Sequence, residues 1–341
     1  YAIIVKAVAY RILSIVRYKD SLIDFENLSN CDSEALRCQL ALLEEGAVFR
    51  GYGITNLLEG DFFSWYASKE QWCDEIAQSV SGVFRLLNRY SDKAVLNSEK
   101  KSSDFFKELY QGMMPPAVRH ALGEYYTKRW LAQQVVDETV SMISNADWRG
   151  LDPCCGSGTF LTVMIDKVLE EVKNNSREEQ LHAVLTRVTG IDLNPVAVLT
   201  ARVNYFINIS HLLDIDEELE IPVYLGDSSY VPRKCEFDGI CCLEYSINTL
   251  IAPINILVPV SMVADPFKFS QAMTSIELYI KALDEQGAYE CLEKLVAPDE
   301  LTDAIKGELH KLSESLVELE RRKWDGIWAR IITNYLTTAN L

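Results

Sequence analysis

The first hundred residues contain apolar positions that recur at the three- and four-residue spacing of amphipathic helices. This pattern predicts helices over residues 33–43 and 75–87. The stretch between them, residues 51–60, contains three glycines and is predicted to turn, and the polar residues 91–103 are predicted to form a loop. The chain therefore begins with a mostly helical region, residues 1–103.

From residue 104 onward, the pattern changes to short apolar runs that each end in an acidic residue. A helix is predicted from residue 130 to about residue 143, followed by runs at residues 149–152, 188–192 and 223–227 with helical segments between them. Strands that alternate with helices predict a parallel, doubly wound α/β sheet.

Residues 235–341 return to strand-like composition before a long helical stretch. Apolar residues at 240–243 and 254–260 predict strands, residues 267–320 are predicted to be helical, and a final helix is expected over residues 324–336. We therefore expect a third segment after the helical region and the sheet.

The composition is that of a globular protein, with 48% hydrophobic and 24% charged residues. No apolar run reaches the ~18 residues that a membrane span requires, and the apolar start of the chain lacks a signal-peptide cleavage site. The nine cysteines include no Cys-x-x-Cys pair and the four histidines show no ligand spacing, so neither a zinc site nor a disulfide framework is indicated. These features predict a cytoplasmic protein that contacts no membrane. Because the chain begins with Tyr1 rather than Met, a trimmed chain is expected.

The formal net charge of −17 is unusual for a protein that grips DNA. Proteins that bind DNA usually present a basic face to the phosphates. The charge therefore indicates either a protein that does not bind DNA, or one whose basic surface lies in sequence outside this chain. A local basic groove remains compatible with an acidic total.

The strongest motif runs from Leu151 to Leu161, where an acidic strand end is followed by two glycines. Gly156 and Gly158 permit a tight turn and a close approach of the backbone to a ligand. Glycine-rich turns before a helix often bind phosphate, but Asp152 would repel one. The acidic residue suits a ligand with a cationic amino group, such as S-adenosylmethionine. The alternative is an ordinary tight turn.

Two further carboxylates end the next predicted strands. Asp192 lies 40 residues after Asp152 and is placed to accept the hydroxyls of a ribose. Asn194 is expected to cap the following helix, with Pro195 in its first position. Asp227 is placed to accept a hydrogen bond from an exocyclic adenine amine. The alternatives are that Asp192 only caps the helix and that Asp227 is a surface loop residue.

A fourth string, residues 119–130, precedes the first predicted strand. Tyr125 and Tyr126 are candidates for an aromatic wall. Thr127 is predicted to cap the following helix, and capping is the favoured interpretation of this string by itself.

Together, the four strings resemble the N6-adenine DNA methylase family, which includes modification subunits of type I systems, fused type IIG enzymes and phage-defence methylases. Residues 123–128 resemble its Gly-x-aromatic-aromatic-Thr-Pro string, with Lys128 in place of Pro. Residues 152–160 resemble its first cofactor motif, residues 192–195 its ribose motif, and residues 226–227 its adenine motif.

The resemblance covers about residues 104–230 and implies a Rossmann-like methyltransferase fold with an incomplete parallel sheet and an N-terminal helical domain, residues 1–103. Residues 104–234 would form the core that binds S-adenosylmethionine, and residues 235–341 an insertion. Double-stranded DNA is the implied partner, together with specificity or nuclease subunits or domains. The implied cofactor residues are Tyr125, Tyr126, Thr127, Asp152, Pro153, Gly156, Ser157, Gly158, Thr159, Phe160, Asp192, Leu193, Asn194, Asp227 and Ser228.

The chain departs from the family at the catalytic tetrapeptide. Members carry Asn, Asp or Ser followed by two prolines and an aromatic residue, and this string holds the flipped base. Residues 265–268 lack the second proline, and Phe237–Ile240 resembles only the strand that leads into the tetrapeptide. Residues 324–332 resemble a helix that precedes the catalytic strand in long members. We therefore expect the chain to end before the tetrapeptide, and to bind cofactor without catalytic residues or a metal.

Three alternatives stay open. An oxidoreductase would need an acidic residue about 20 positions after its glycines, whereas Asp192 lies 34 residues after Gly158. An RNA or protein methyltransferase would share the cofactor motifs. A non-catalytic module that keeps the fold for protein assembly is favoured by the missing tetrapeptide and by the acidic charge.

Overall fold

The computed structural model describes eleven stretches of the chain, and its contacts divide them into two compact units, Tyr1–Val223 and Tyr224–Leu341. The predicted segment 1–103 and most of the predicted segment 104–234 fall in the first unit, and a domain boundary at residue 103 stays a prediction. The described stretches are residues 1–17, 25–51, 53–58, 63–89, 106–107, 111–112, 115–117, 125–213, 218–248, 253–322 and 328–339.

The first unit begins with a group of short helices. The helices predicted at 33–43 and 75–87 are confirmed, and Asp32 caps the first of these two because its side chain accepts a hydrogen bond from the Ala35 N–H at 2.9 Å. Their inward faces form a small core with Leu36, Leu40 and Phe84. The helices are α1 (Ala2–Arg17), α2 (Phe25–Asn30), α3 (Ser33–Glu44), α4 (Ala47–Arg50) and α5 (Asp74–Leu87), with a 3-10 turn at Trp65–Ala67.

A buried ion pair lies inside this helical group. The Lys6 ammonium contacts the carboxylate of Glu44, and the Tyr66 hydroxyl donates to the other Glu44 oxygen at 2.5 Å. All three side chains are buried. The neighbouring charge and hydroxyl offset part of the cost of removing these groups from water.

The rest of the first unit contains a small parallel sheet with helices between its strands. The three runs that end in acidic residues form strands as predicted, and β1 pairs with β2 in parallel, with Asp152 opposite Gly190. The strand order is β1-β2-β3. The elements are α6 (Arg129–Ser141), β1 (Gly150–Asp152), α7 (Thr159–Glu171), α8 (Arg177–Arg187), β2 (Val188–Asp192), α9 (Pro195–Ile209) and β3 (Val223–Leu225).

Helix α9 connects the N-terminal helices to the chain that enters β3. Every residue from Val198 to Ile209 is buried. Arg202 donates from Nε to the carbonyl of Val223 and from Nη1 to the carbonyl of Asn56, both at 2.8 Å. The Asn56 amide in turn donates to the Ile221 carbonyl at 2.8 Å and accepts from the Ile221 N–H at 2.7 Å. Arg202 of α9 and Asn56 therefore hold residues 221–223, which lead into β3, in place.

Where the structure describes it, the second unit combines an antiparallel sheet with four helices. The strands predicted near 240–243 and 254–260 and the helical content of 267–320 are confirmed. The leucines of α12, including Leu309 and Leu316, pack in the core of this unit. The elements are β4 (Arg233–Phe237), β5 (Ile240–Ile247), β6 (Ile254–Pro259), a 3-10 turn (Val260–Val263), α10 (Pro266–Lys281), α11 (Glu285–Glu293), α12 (Asp303–Arg321) and α13 (Trp328–Thr338).

The structure corrects the interpretation of Phe237–Ile240 as the strand that leads into a catalytic tetrapeptide. Strands β4 and β5 form a hairpin in which Phe237 pairs with Ile240. Asp238 has φ of 52° and Gly239 has φ of 77°, as a two-residue turn with both central residues left-handed requires. These residues reverse the chain, so the string is a hairpin turn. The string 324–332 resembles the helix that precedes the catalytic strand in long members. Its residues 324–327 lie outside the described residues, and helix α13 begins at Trp328.

Among the described residues, no helix combines the length and the apolar character that crossing a membrane requires.

Candidate functional site

The turn between β1 and α7, residues 153–158, is called the glycine loop below. Gly156 and Gly158 both have positive φ, 55° and 94°, which side chains other than glycine rarely adopt. A Cβ at Gly158 would lie 3.4 Å from the Cα of Ala201 in α9. The loop closes on itself because the Gly158 N–H donates to the Cys155 carbonyl at 2.8 Å. Both glycines are therefore needed for the positive φ of the turn, and Gly158 packs directly against α9.

Three hydrogen bonds fix the glycine loop to β2 and α9. The Gly156 N–H donates to Oδ2 of Asp192 at 2.8 Å, and the Cys155 N–H donates to the Ile191 carbonyl at 2.9 Å. The buried amide of Asn204 donates to the Ser157 carbonyl at 2.8 Å. The ends of β1 and β2 therefore meet at the glycine loop, and Asp192 helps to hold the loop in its conformation.

Asp192 also turns the chain into α9. Its Oδ1 accepts from the Asn194 N–H at 2.8 Å. Asn194 caps the helix, because its side chain accepts from the Val196 N–H at 2.9 Å, and Pro195 occupies the first turn, so this prediction is confirmed. Each carboxylate oxygen has a second lone-pair site. Asp192 can therefore hold these backbone groups and still accept hydrogen bonds from a ligand.

Asp152, at the end of β1, is the second carboxylate beside the glycine loop. Its Oδ1 accepts from the Cys154 N–H at 3.2 Å, and its Oδ2 accepts no hydrogen bond from any described residue. Burial raises the pKa of Asp152, the Cys154 hydrogen bond partly opposes this, and the charge of Asp192 raises it further. The two carboxylates thus give the loop an excess of negative charge, which a bound cation would offset.

The buried thiol of Cys155 lies close to the same two carboxylates. Burial raises the pKa of its thiol well above the usual range, and the charges of Asp192 and Asp152 add to this. The thiol is therefore neutral and packs against the close strand position Gly190, where a Cβ would lie 3.2 Å from the sulfur.

The string that precedes α6 also meets the glycine loop. A Cβ at Gly156 would lie 3.9 Å from the ring of Tyr126. The Lys107 ammonium lies 5.7 Å from the centre of that ring and donates to the carbonyl of Thr127. Arg129, at the start of α6, pairs with Asp166 of α7 at 2.6 Å. The first, second and fourth motif strings therefore converge in the first unit.

The prediction that Thr127 caps α6 is wrong. The helix begins at Arg129, and its cap position is Lys128, whose side chain makes no capping bond. A lysine side chain has only donors and cannot accept from the first N–H groups of a helix. Residues 119–124 of this string, including Gly123 and Glu124, lie outside the described residues.

The implied cofactor residues differ in how much of them a ligand can reach. Tyr125 and Leu193 are 75% and 62% exposed, which is unusual for large hydrophobic side chains beside polar loops. Those that are buried, and so act through backbone or shape, are Ser157, Gly158 and Thr159. Those that are exposed or half-buried are Tyr125, Tyr126, Thr127, Asp152, Pro153, Gly156, Phe160, Asp192, Leu193 and Asn194 in the first unit, and Asp227 and Ser228 in the second.

Two cavities of the first unit adjoin the motif residues. One, of about 380 Å³, is lined by Asp152 and Phe160 among mostly apolar residues. The other, of about 580 Å³, is lined by Asn194 and by aromatic residues that include Trp65 and Tyr66. Both volumes lie in the lower half of the usual range for small-molecule sites. The strand ends therefore border apolar space that suits part of a nucleoside-sized ligand.

Asp227 belongs to the second unit and is described within it. Its Oδ1 accepts from both the hydroxyl and the N–H of Ser229, at 2.6 and 2.9 Å, and these bonds lower the pKa of Asp227. The backbone of Tyr230 also lowers the pKa of Asp227. Ser228 is exposed. Asp227 is thus an ionised, half-buried carboxylate held in a short turn.

Asn204 is the functional residue that sequence reasoning missed. It lies on a helix that is otherwise predominantly apolar, and its amide fixes the glycine loop. A buried polar residue on an apolar helix face was the available signal, because such groups are retained with a partner. Which partner it has depends on tertiary structure and could not be derived from spacing.

The sequence model of one family, N-6 DNA methylase, matches residues 101–233. No curated protein matches the chain. The matched segment includes the glycine loop, Asp192 and Asp227. Residues 101–233 are therefore similar to the N-6 DNA methylase family, and this match supports a DNA N6-methyltransferase domain in that segment.

Proposed function

We propose that this chain is the cofactor-binding portion of a cytoplasmic, S-adenosylmethionine-dependent DNA methyltransferase, specific for adenine N6, of a restriction-modification or phage-defence system. The observation that carries the proposal is the glycine loop. Asp192 holds it, and Asp152 gives it an uncompensated negative charge.

The loop suits S-adenosylmethionine rather than a phosphate ligand. Two carboxylates at the strand ends repel a pyrophosphate and stabilise an ammonium group. In the first unit, Asp152 would hold the amino group and Asp192 the ribose hydroxyls. In the second unit, the family resemblance makes Asp227 the candidate for the exocyclic adenine amine. The exposed side chains of Tyr125 and Leu193 supply apolar surface. When bound, S-adenosylmethionine supplies an activated methyl group.

We expect this chain to bind the cofactor without methyl transfer. None of its residues forms the tetrapeptide that holds the target amine in the family. In the nearest string, Asp265 caps α10, with its Oδ1 accepting from the Lys268 N–H at 3.1 Å, and Pro266 lies in the first turn. That string is a helix start. Contacts with double-stranded DNA, and with specificity or nuclease subunits, would come mainly from sequence other than this chain.

The test separates the ligand role of Asp192 from its structural role. Because Asp192 holds Gly156 and Asn194, loss of binding in Asp192→Ala alone would not distinguish the two. We would titrate wild type and Asp192→Asn calorimetrically with S-adenosylhomocysteine and with its 3′-deoxy analogue. If Asp192 accepts the ribose hydroxyl, each single change weakens binding about tenfold or more. The combined change then weakens it little further, because the same interaction is lost once.

Asp265→Asn is the matched control, because Asp265 also caps a helix. It should leave the affinity for both ligands unchanged. Losses that multiply for Asp192→Asn and the deoxy ligand would reject the ribose role. A folded wild-type chain that binds neither ligand would reject the cofactor proposal itself.

A second candidate is a non-catalytic methyltransferase-fold module, which the net charge of −17 favours. Such a module need not retain the cofactor. The same titration distinguishes them, since saturable binding that depends on Asp192 supports the cofactor function.

A further inference from the structure

Three tyrosines of the second unit form a continuous stack beside Asp227. The rings of Tyr230 and Tyr245 lie 5.0 Å apart at 41°, and those of Tyr245 and Tyr335 lie 5.1 Å apart at 38°. The first follows Asp227 in the chain, the second lies in β5, and the third in α13. These distances are those of favourable aromatic pairs. The stack therefore links the loop after β3 to β5 and α13.

The turn that carries Asp227 is tied to Tyr230. The Tyr230 N–H donates to the Asp227 carbonyl at 3.1 Å, and the Ser229 N–H donates to the Asp227 side chain at 2.9 Å. The four residues 227–230 thus form one closed turn. The ring of Tyr230 and the carboxylate of Asp227 therefore project from the two ends of one short turn.

Helix α13 also holds the chain on the other side of Asp227. The Leu225 N–H donates to Oδ1 of Asn334 at 3.0 Å, and Asn334 adjoins Tyr335 of the stack. The chain is therefore held before the carboxylate by Asn334 directly, and after it by Tyr230, which packs on Tyr245 and through that ring is linked to Tyr335 of the same helix.

The middle ring of the stack is a fixed support. Tyr245 is 6% exposed, whereas Tyr230 is 53% exposed. Burial raises the pKa of Tyr245 well above its usual range, and the charges of Tyr335, Tyr230 and Asp227 add to this. The Tyr245 hydroxyl is thus neutral beside an ionised Asp227, and the ring of Tyr230 forms the exposed end of the stack.

We propose that Tyr230, whose ring packs on Tyr245 and through it is linked to Tyr335, is a positioning residue that holds the Asp227 carboxylate for the exocyclic amine of an adenine ring. This inference rests on the proposed function. It gives residues 235–341 a role in adenine discrimination, since two of the three rings belong to that segment.

The test measures discrimination between two ligands that differ only at the adenine amine. We would titrate the full chain calorimetrically with S-adenosylhomocysteine and with S-inosylhomocysteine, which carries a carbonyl at that position. The wild type should prefer the adenosyl ligand. Asp227→Asn should lose or invert this preference, because its amide can donate to the carbonyl. Tyr230→Ala should lower the preference about fivefold, which is the size of one aromatic pair.

Two variants separate positioning from general damage. Tyr230→Phe keeps the ring and should retain the wild-type preference. Tyr279→Ala removes another partly exposed tyrosine of this unit and should also retain it. A Tyr230→Ala protein that binds the inosyl ligand like wild type but keeps the full preference would overturn the positioning role.

The failure of the underlying function has a different signature. If the wild type binds neither ligand, the cofactor proposal fails. If the wild type binds both ligands but Asp227→Asn leaves the preference unchanged, the adenine role of Asp227 fails. Either result overturns the inference because the ligand contact on which it rests is missing, whatever Tyr230 does.

Discussion

At the scale of single residues, Asp152 shows a conflict between stability and binding. Its pKa is raised by burial and by the charge of Asp192. A carboxyl whose pKa is higher in the folded than in the unfolded state binds its proton more tightly when folded. Its contribution to stability is therefore present at pH values below the unfolded pKa, and is lost as pH rises through the folded pKa. At neutral pH, the ionised Asp152 destabilises the ligand-free protein.

We predict that Asp152→Asn raises the free energy of unfolding by about 0.5–2 kcal/mol at neutral pH. The amide keeps an acceptor for the Cys154 N–H and carries no charge. The same substitution should weaken binding of S-adenosylhomocysteine about tenfold or more, because a charged partner of its ammonium is lost. Urea denaturation measures the first effect and calorimetry the second.

Asp137→Asn is the matched control with the opposite sign. Hydrogen bonds from Gln133 and from Lys167, which also pairs with it at 2.9 Å, lower the pKa of Asp137. Asp137→Asn should therefore not raise the free energy of unfolding. It should also leave the affinity for S-adenosylhomocysteine unchanged. If Asp152→Asn destabilises the ligand-free protein, the account of a charge-strained loop is wrong.

At the scale of elements, helix α9 organises the site through its buried polar face. Asn204 fixes the glycine loop, Arg202 fixes the entry to β3, and the Tyr205 hydroxyl donates to the Val184 carbonyl at 2.9 Å. One helix therefore holds three neighbouring segments. Its polar groups are costly to bury without these partners, which makes the arrangement specific.

We predict that Asn204→Ala weakens binding of S-adenosylhomocysteine about tenfold, because the Ser157 carbonyl loses its donor and the glycine loop its fixed shape. Asn208→Ala is the control one turn along the same helix, since the Asn208 amide donates to the Asn204 carbonyl within α9 at 2.7 Å. Both variants should be destabilised by about 1–3 kcal/mol, but only the first should lose affinity. Equal affinities for the two variants would contradict a role for Asn204 in the loop.

The elements that the sequence predicted best are those whose signal is local. Three apolar runs ending in acids became β1, β2 and β3, because strand period and terminal charge are readable from neighbours. Asp238-Gly239 is a strong local signal for the β4–β5 hairpin turn, and it outweighs the resemblance of Phe237–Ile240 to the strand of a family motif. The partners of Asn204 and Tyr245 could not be predicted, because they are set by contacts between distant segments.

At the scale of the whole molecule, the net charge of −17 opposes an approach to DNA. Affinity for duplex DNA comes largely from cations that neutralise phosphates and release counterions. The family match predicts a DNA substrate, whereas the charge of this chain predicts repulsion. The two predictions are compatible if the positively charged surface that contacts DNA belongs to other sequence or to a partner subunit.

We therefore predict that this chain, with or without S-adenosylhomocysteine, binds a short fluorescent duplex more weakly than about 10⁻⁴ M at physiological salt, the upper end of ordinary non-specific binding. Fluorescence anisotropy measures this, and repeating the titration at lower salt provides the internal control. Repulsion between like charges strengthens as salt falls, so the anisotropy should not rise. Saturable binding that strengthens steeply at low salt would instead reveal a basic groove within this chain, and the DNA contacts would then have to be sought among its own lysines and arginines.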